Sequence, residues 1–398
     1  MSEKPAVPSA DVVIVGGGIV GSAIAYYLSL AEDAARRRVV IVERDIGYTQ
    51  ASTGRSAGGL RQQFSTPENI AMSQATLALF RRLEAAFGPG AEVGFRERGY
   101  LLLAAPEWEA LLTQNVSLQR AQGADILLLK RSELARRFAW LAIDGMAAGG
   151  FGASGEGWFD PPSLAALMRS AARTRGVAVV HDRVIGIDVG HRVEGVRLAR
   201  GGRLPCTHLI NAAGAWAGEL AALAGVWLPV APRKRYVYVI DCRNAPEALH
   251  QAPLTVDVSG AWFRPEGRVF LCGKSPEADQ EPPACDLDQI DHEFFTREVW
   301  PRLAARVPAF EAVKVVNAWA GYYDTNTLDH NAVIGAHPQL RNFYFANGFS
   351  GHGAQQSAAA GRAIAELIVH GAFKTIDLTR FGYTRIVEKR PLTEQNVI

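Results

Sequence analysis

At 398 residues the chain exceeds what one hydrophobic core ordinarily holds, so two domains are expected. Hydrophobic residues at 48%, charged residues at 21% and a net charge of +2 describe a globular protein and exclude nucleic acid or an anionic membrane as the main partner. The four cysteines, Cys206, Cys242, Cys272 and Cys285, form no C-x-x-C pair and no metal-ligand spacing with a histidine, which excludes a metal site of that kind and favours a reducing, cytoplasmic setting.

Residues 11–15 (DVVIV) read as a buried strand. The turn Gly16-Gly17-Gly18-Ile19-Val20-Gly21 follows and opens a helix. Strand, turn and helix together are the context a dinucleotide fingerprint needs. Gly16 makes the tight turn, Gly18 admits the backbone to a pyrophosphate, and Gly21 lets helix pack on strand. A second strand at 38–42 ends at Glu43, whose carboxylate can accept from a ribose diol; the polar stretch 32–37 lengthens the connection before it. Residues 49–61 are rich in glycine and hydroxyls. A helix is predicted from Pro67 to about Phe87, strands around Phe95 and at 100–104, and helices at 107–122 and 132–138.

Residues 150–155 (GFGASG) repeat the glycine spacing with no apolar strand before them and no helix in register after them, and read as a flexible loop. Asp160-Pro161-Pro162-Ser163 starts a helix that ends near Gly176. Strands follow at 177–180, 184–189, 195–198 and 207–214, then a short helix at 215–224. From 230 to about 316 the chain is β-rich and aromatic, with one helix near 290–303. A strand at 342–346, a glycine turn at 347–353 and a helix at 355–369 return to the opening theme. The fold class is therefore α/β: a discontinuous Rossmann-like dinucleotide domain (1–88, 150–229 and 325–398) with a β-rich α+β substrate domain (89–149 and 230–324).

A nicotinamide dehydrogenase needs only the first βαβ region for its cofactor, and there is only one credible fingerprint. Here Ser52, Thr53, Arg55 and Ser56 follow the second strand, within reach of a pyrophosphate, and Gly58-Gly59-Leu60 offers bare backbone to a flat ring. The turn Gly351-His352-Gly353 puts a helix N-terminus where negative charge develops on a reduced flavin. These features favour a flavin dinucleotide that takes hydride directly from substrate.

Gly16 to Glu43, the block 52–59, Asn211-Ala212-Ala213-Gly214-Ala215-Trp216 and Gly348-Phe349-Ser350-Gly351-His352-Gly353 together resemble the D-amino-acid oxidase superfamily, which contains glycine oxidase, sarcosine oxidase and sarcosine dehydrogenase. In the second half, 299–301, 306–310, Ala318-Trp319-Ala320-Gly321-Tyr322-Tyr323-Asp324 and 375–378 resemble the FAD-dependent respiratory complex I assembly factors of mitochondria and their bacterial relatives. With no mitochondrial presequence, a bacterial relative is the expectation.

The resemblance implies FAD. It assigns the cofactor to Gly16, Gly18, Ile19, Val20 and Gly21, to Glu43 with Arg44 at the adenosine ribose, and to Ser52, Thr53, Arg55 and Ser56 along the pyrophosphate and ribityl chain. Ala57, Gly58, Gly59 and Leu60 meet the flavin, the backbone of Val184 meets adenine, and Ala213, Gly214 and Trp216 line the phosphate side. Gly348, Gly351, His352, Gly353 and Gln355 approach the pyrimidine edge. Gly321 stands where a relative has its flavin-linking cysteine, and no histidine precedes Gly58, so the FAD is expected to be non-covalent. The lysine that promotes oxygen reactivity in sarcosine oxidase falls near Leu271, which favours a dehydrogenase over an oxidase.

Arg61 matches a carboxylate-binding arginine, Arg235 is a second candidate, Gln355 replaces a family lysine, and Tyr322 and Tyr323 shape the pocket, Tyr323 and His352 being the catalytic candidates. The implied activity is oxidation of the C–N bond of an amino acid or N-substituted amino acid by hydride transfer to flavin N5, the imine then being hydrolysed. The alternative is a flavoprotein assembly or scaffold factor with little turnover. The implied partners are a small amine and an electron acceptor (oxygen, a quinone or an electron-transfer protein), in a cytoplasmic protein or one peripheral to a membrane, with no transmembrane segment.

Overall fold

A computed structural model of the chain describes residues 9–277, 281–282 and 286–395. Cys285 and the N-terminal octapeptide lie outside the described residues.

The first sheet forms where β-branched runs are apolar on both faces. β1 (Ala10–Val15) lies at its centre, flanked in parallel by β2 (Val39–Glu43) and β11 (Arg203–Asn211). β8 (Ala178–His181) extends it beyond β2, and β18 (Phe343–Asn347) and β17 (Val333–Ala336) extend it beyond β11, giving the order β17-β18-β11-β1-β2-β8. An antiparallel pair, β9 (Val184–Val189) and β10 (Val193–Leu198), hangs from β11. Val12 and Ile14 face a layer of helices, and Val13 and Val15 face the opposite core, so β1 is buried on both sides as a parallel strand must be. The helix layer packs α1 (Ile19–Ser29) between α6 (Pro161–Thr174) and α10 (Gly353–His370). A Cβ at Gly361 would lie 2.6 Å from the Ala23 carbonyl carbon, so the close approach of α1 and α10 requires glycine there.

The second sheet has the order β16-β12-β15-β14-β13-β4-β6-β5, with β4 at Tyr100–Ala104, β5 at Ile126–Lys130, β6 at Ala148–Gly152, β12 at Val230–Asp241, β13 at Leu254–Val256, β14 at Trp262–Glu266, β15 at Val269–Gly273 and β16 at Lys314–Asn326. One face, carrying Tyr238, Phe263, Phe270 and Ala320, is sealed by apolar residues from the segment 292–310. The other face, carrying Tyr100, Val237, Leu254 and Trp262, looks toward the first sheet. The expected domain limits at 149/150 and 324/325 fall inside β6 and β16, which belong to this second sheet throughout.

Four local expectations are corrected. The helix expected over 67–87 is two: α2 (Pro67–Phe80) and α3 (Leu83–Phe87). Arg82 leaves helical backbone between them, and the turn lets Phe87 pack on Tyr26 at 5.0 Å between ring centres. Phe95 is in no strand; its neighbour Arg96 makes a single bridge to Trp158. The run 126–130 is strand β5, although the helices expected on either side left no strand there. The second glycine copy is no loop over its first half: 150–152 belong to β6, buried in the second sheet. Its glycines serve packing, since a Cβ at Gly150 would lie 2.6 Å from Gln63 Oε1 and one at Gly152 would overlap the Glu156 carboxylate. Among the described residues, no helix is long and apolar enough to cross a membrane.

That carboxylate is fully buried. Glu156 Oε1 accepts from Gln62 N and Oε2 from Gln63 Nε2 (2.8 Å), and burial pushes its pKa up to about 7. The native state holds a proton there that the unfolded chain, with its ordinary value of 4.5, releases earlier. The stability this proton confers is complete below pH 4.5 and is lost as pH rises through 7, a contribution of about 3 kcal/mol. Thermal unfolding of the protein and of Glu156→Gln, followed between those pH values, is expected to show a difference in Tm that changes steadily across the window. A constant difference would contradict the assignment.

Candidate dinucleotide and substrate site

One cavity of about 500 Å³ runs between the sheets from the N-terminus of α1 to that of α10. At the α1 end, Gly16 has φ 101°, and a Cβ there would overlap the Ala212 carbonyl. A Cβ at Gly18 would meet only Thr53 Oγ1, at 3.3 Å, so its bare backbone borders open cavity. Ile19 N donates to Thr53 Oγ1 at 3.0 Å, which ties the segment 52–55 to the first turn of α1. Glu43 is fixed from both sides: Oε2 accepts from Gly17 N (2.7 Å) and Oε1 from Asp45 N (2.8 Å). Each oxygen retains a lone pair for a ribose hydroxyl. The Arg44 guanidinium stacks 3.7 Å over the Trp216 ring, and burial lowers its pKa. Val20, Val184, Ala213 and Gly214 complete this end. A Cβ at Gly214 would meet nothing within 4 Å. Gly21, Leu60 and Gly348 stand behind the wall: a Cβ at Gly21 would overlap the Gly16 carbonyl, Leu60 is buried in the helix-side core, and a Cβ at Gly348 would lie 3.0 Å from Val230.

In the middle, the segment 52–60 is held against the second sheet. Ser52 Oγ donates to Tyr322 O (2.5 Å), and Trp319 Nε1 donates to Arg55 O (3.0 Å). Arg55 was expected along the pyrophosphate, yet its Nε donates to Thr49 O (2.7 Å) and its Nη1 to Ala320 O (2.9 Å), while Nη2 lies 3.7 Å from Asp288. Its guanidinium therefore fastens the wall. Ser56 Oγ accepts from Gly58 N (3.1 Å), and Ala57 O accepts from Arg264 Nε (3.1 Å). Gly58 has φ 73° and no room for a Cβ against Phe159 O; a Cβ at Gly59 would lie 3.2 Å from the Tyr100 hydroxyl. A Cβ at Gly321 would lie 3.0 Å from Arg55 Cβ.

At the α10 end, Asp324 Oδ2 accepts from Gly348 N (2.8 Å) and Phe349 N (3.2 Å), and burial raises its pKa to about 6. Gly351, at φ 100°, packs on the Tyr323 ring so closely that a Cβ would lie 2.5 Å from it. Arg61, 2% exposed, donates from its backbone N to Gln355 Oε1 (2.8 Å) and from Nη1 to Gln63 O, and its Nη2 lies 3.1 Å from His352 Nε2. Its guanidinium also lies 4.1 Å over the Phe64 ring, which the His352 ring meets edge-on at 5.1 Å. A guanidinium can only donate, so His352 Nε2 accepts and the ring proton sits on Nδ1. Burial first, and the Arg61 charge second, hold the His352 pKa well below its usual range. Burial raises the Tyr323 hydroxyl pKa, which the charges of Arg235 and Arg61 oppose. Tyr322 turns its ring to Trp216 at 5.7 Å and belongs to the core beneath the sheet. Arg235 forks onto Glu281 (2.7 and 2.8 Å).

The sequence reading missed Lys274, Asp324, Tyr100 and Trp262, all of which line the cavity. Lys274 had a signal, a charge ending the apolar run 269–273; the others are ordinary strand residues until the sheet is closed. Leu271, where an oxygen-activating lysine was sought, packs with Val237 and Val239, while Lys274 Nζ three residues on is held by Glu277 (2.7 Å) and Ser275 O (3.2 Å). Among the described residues no three His, Cys, Asp or Glu side chains converge as metal ligands.

A family model described as FAD dependent oxidoreductase (DAO) matches residues 11–367. FAD-dependent oxidoreductase domain-containing protein 1 of Xenopus laevis is 43% identical over 426 residues, covering 98% of this chain and 85% of that protein. Glycine oxidase of Geobacillus kaustophilus is 28% identical and covers 95% and 98%. The crystal structure of L-proline dehydrogenase from P. horikoshii superposes with a TM-score of 0.83 at 25% identity, covering 97% of this chain and 100% of that one. The residues fit the cofactor: bare glycine backbone and a helix N-terminus stand at the phosphate end, a fixed carboxylate at the ribose, and a second helix N-terminus closes the same cavity at the far end. The chain belongs to the DAO family of FAD-dependent oxidoreductases, and FAD is the dinucleotide this cavity takes.

Proposed function

We propose that the protein oxidises the C–N bond of an amino acid or an N-substituted amino acid. The observation that carries this reading is Arg61: a guanidinium buried in the cavity wall beside the N-terminus of α10, at the end remote from the dinucleotide turn. When bound, FAD supplies a two-electron acceptor that takes the substrate α-hydrogen as hydride. Arg61 binds the substrate carboxylate, an anion that a guanidinium fork matches. His352 positions Arg61 through Nε2, and Gln355 positions its backbone. Tyr100, Val237, Leu254 and Trp262 keep water from the reacting carbon. Asp324 holds Gly348 and Phe349, which sets the entry to α10.

A neutral amine needs no protein base, since its nitrogen lone pair forms the C=N bond as the hydride leaves; water then adds and releases a carbonyl compound and the amine. His352 therefore serves in position rather than in proton transfer. Among the described residues no cysteine lines the cavity, which with the glycine at 321 supports non-covalent FAD, and apolar Leu271 supports a dehydrogenase.

Anaerobic mixing of the FAD-loaded protein with a panel of glycine, sarcosine, proline, D-amino acids, N-alkyl amino acids and dicarboxylic amines such as iminodiacetate is expected to bleach the visible flavin band with at least one member, and air is expected to restore it more slowly than an artificial electron acceptor does. A band unchanged by every member would contradict the reading and leave a flavoprotein without amine turnover. His352→Gln, which keeps an acceptor for Arg61, is expected to hold KM within about threefold, whereas His352→Leu raises it about tenfold or more. A large and equal loss of kcat in both variants would instead make His352 a proton-transfer group.

A further inference from the structure

The substrate end of the cavity carries more positive charge than one carboxylate uses. Arg61 stands on the side of α10. On the facing sheet, Arg235 of β12 and Lys274, just beyond β15, line the same cavity. Lys274 follows Gly273, the last residue of β15, a strand that pairs with the β12 strand carrying Arg235. Tyr323 lies between the arginines: the Arg235 guanidinium is 5.6 Å from its ring centre, and the charges of both reach its hydroxyl. The wall between these cations is apolar, formed by Val237, Leu254, Trp262 and the Tyr100 ring.

A carboxylate already sits on Arg235. Glu281 meets Nη1 at 2.8 Å and Nη2 at 2.7 Å, both side chains being about 15% exposed. This is the two-pronged geometry in which arginine binds a planar carboxylate. Arg235 Nε is buried with no hydrogen-bond partner among the described residues, so the pair leaves part of the guanidinium unsatisfied. Lys274 differs: its side chain is 4% exposed, but that of its partner Glu277 is 64% exposed. Arg235 Nη1 also donates to Lys234 O (2.9 Å), so Nε alone is left over, and an internal carboxylate on this cavity arginine answers the cost of leaving its charge unpaired when the cavity holds no ligand.

We infer that the substrate is an amine bearing two carboxylates, one received by Arg61 beside the flavin and the other by Arg235, where it takes the place of Glu281. The inference rests on the amine-oxidising reading above and adds nothing to its redox balance: the α-carbon gives up hydride, the C=N bond forms, and neither carboxylate reacts. Specificity follows from the exchange. A monocarboxylic amine leaves Glu281 on Arg235, whereas a dicarboxylic one replaces it with a ligand that also feels Lys274.

The test uses the FAD-loaded full chain. Anaerobic flavin reduction is compared for matched pairs: iminodiacetate with sarcosine, N-(carboxymethyl)alanine with N-methylalanine, and D- and L-glutamate with D- and L-2-aminobutyrate. Binding is read separately with thiodiglycolate, in which sulfur replaces the amine nitrogen, through its perturbation of the visible flavin spectrum. At least one dicarboxylate is expected to exceed its partner by about 100-fold in reduction rate over Kd. Arg235→Met is expected to abolish that preference, and Glu281→Gln to tighten thiodiglycolate about tenfold by removing the internal competitor.

Monocarboxylates that reduce the flavin as well as their dicarboxylic partners would overturn the inference and leave amine oxidation standing. Reduction by no amine would overturn both. Should Arg235→Met fail to fold, Glu281→Gln decides: a lowered Tm with unchanged thiodiglycolate affinity would make Glu281 a structural tie and overturn the exchange.

Discussion

Arg61 is a full positive charge almost entirely removed from water, and the substrate end of the molecule is arranged around holding it there. A guanidinium in this position costs several kcal/mol unless its donors are met. Gln63 O and His352 Nε2 meet two of them, the Phe64 face lies against its plane, and Gln355 fixes the backbone it hangs from. These partners come from the segment after Gly59 and from the first turn of α10, so the charge joins the two pieces of chain that flank the flavin end. Because His352 accepts from Arg61 through Nε2, burial and that charge keep it neutral, which suits the positioning role proposed for it.

The two sheets are tied across the cavity by hydrogen bonds to backbone acceptors as well as by the packing of Trp216 on Tyr322. Ser52 and Arg55 reach the carbonyls of Tyr322 and Ala320, Trp319 reaches back to Arg55, and Arg264 holds Ala57. Asp324, at the far end of β16, holds the turn before α10. Residues 52–60 are thereby suspended between the dinucleotide sheet and the substrate sheet, which puts the bare backbone of Gly58 and Gly59 where a flat ring can lie. At Gly58 the neighbours themselves require glycine, since Phe159 O occupies the space a Cβ would need, while a Cβ at Gly59 would press on the Tyr100 hydroxyl at 3.2 Å.

The parts of this arrangement legible in the sequence are the local ones. Strand, glycine turn and helix at 10–29 follow one another in the chain, so their spacing carries their geometry, and the turn before α10 reads the same way. Arg61 and Gln355 were found through resemblance, and their mutual contact spans 294 residues that no periodicity could connect. Lys274, Asp324 and Glu156 acquire their roles only when distant strands pair. The second glycine copy misled for the same reason: Gly150 and Gly152 answer to Gln63 and Glu156, which are remote or out of pattern in the chain but adjacent in the fold. Arg55 lines the cavity, and its guanidinium also turns to Ala320 of β16, a contact that resemblance alone does not give.

The central claim is that Arg61 is the carboxylate anchor beside the flavin, and the most direct measurement of it is a binding titration that needs no turnover. The visible spectrum of the FAD-loaded protein is followed as acetate, a carboxylate with nothing to oxidise, is added to the natural chain and to Arg61→Met. A saturable perturbation is expected, with a Kd that rises about 100-fold or more in the variant at unchanged FAD content. An equal Kd in both proteins would contradict it.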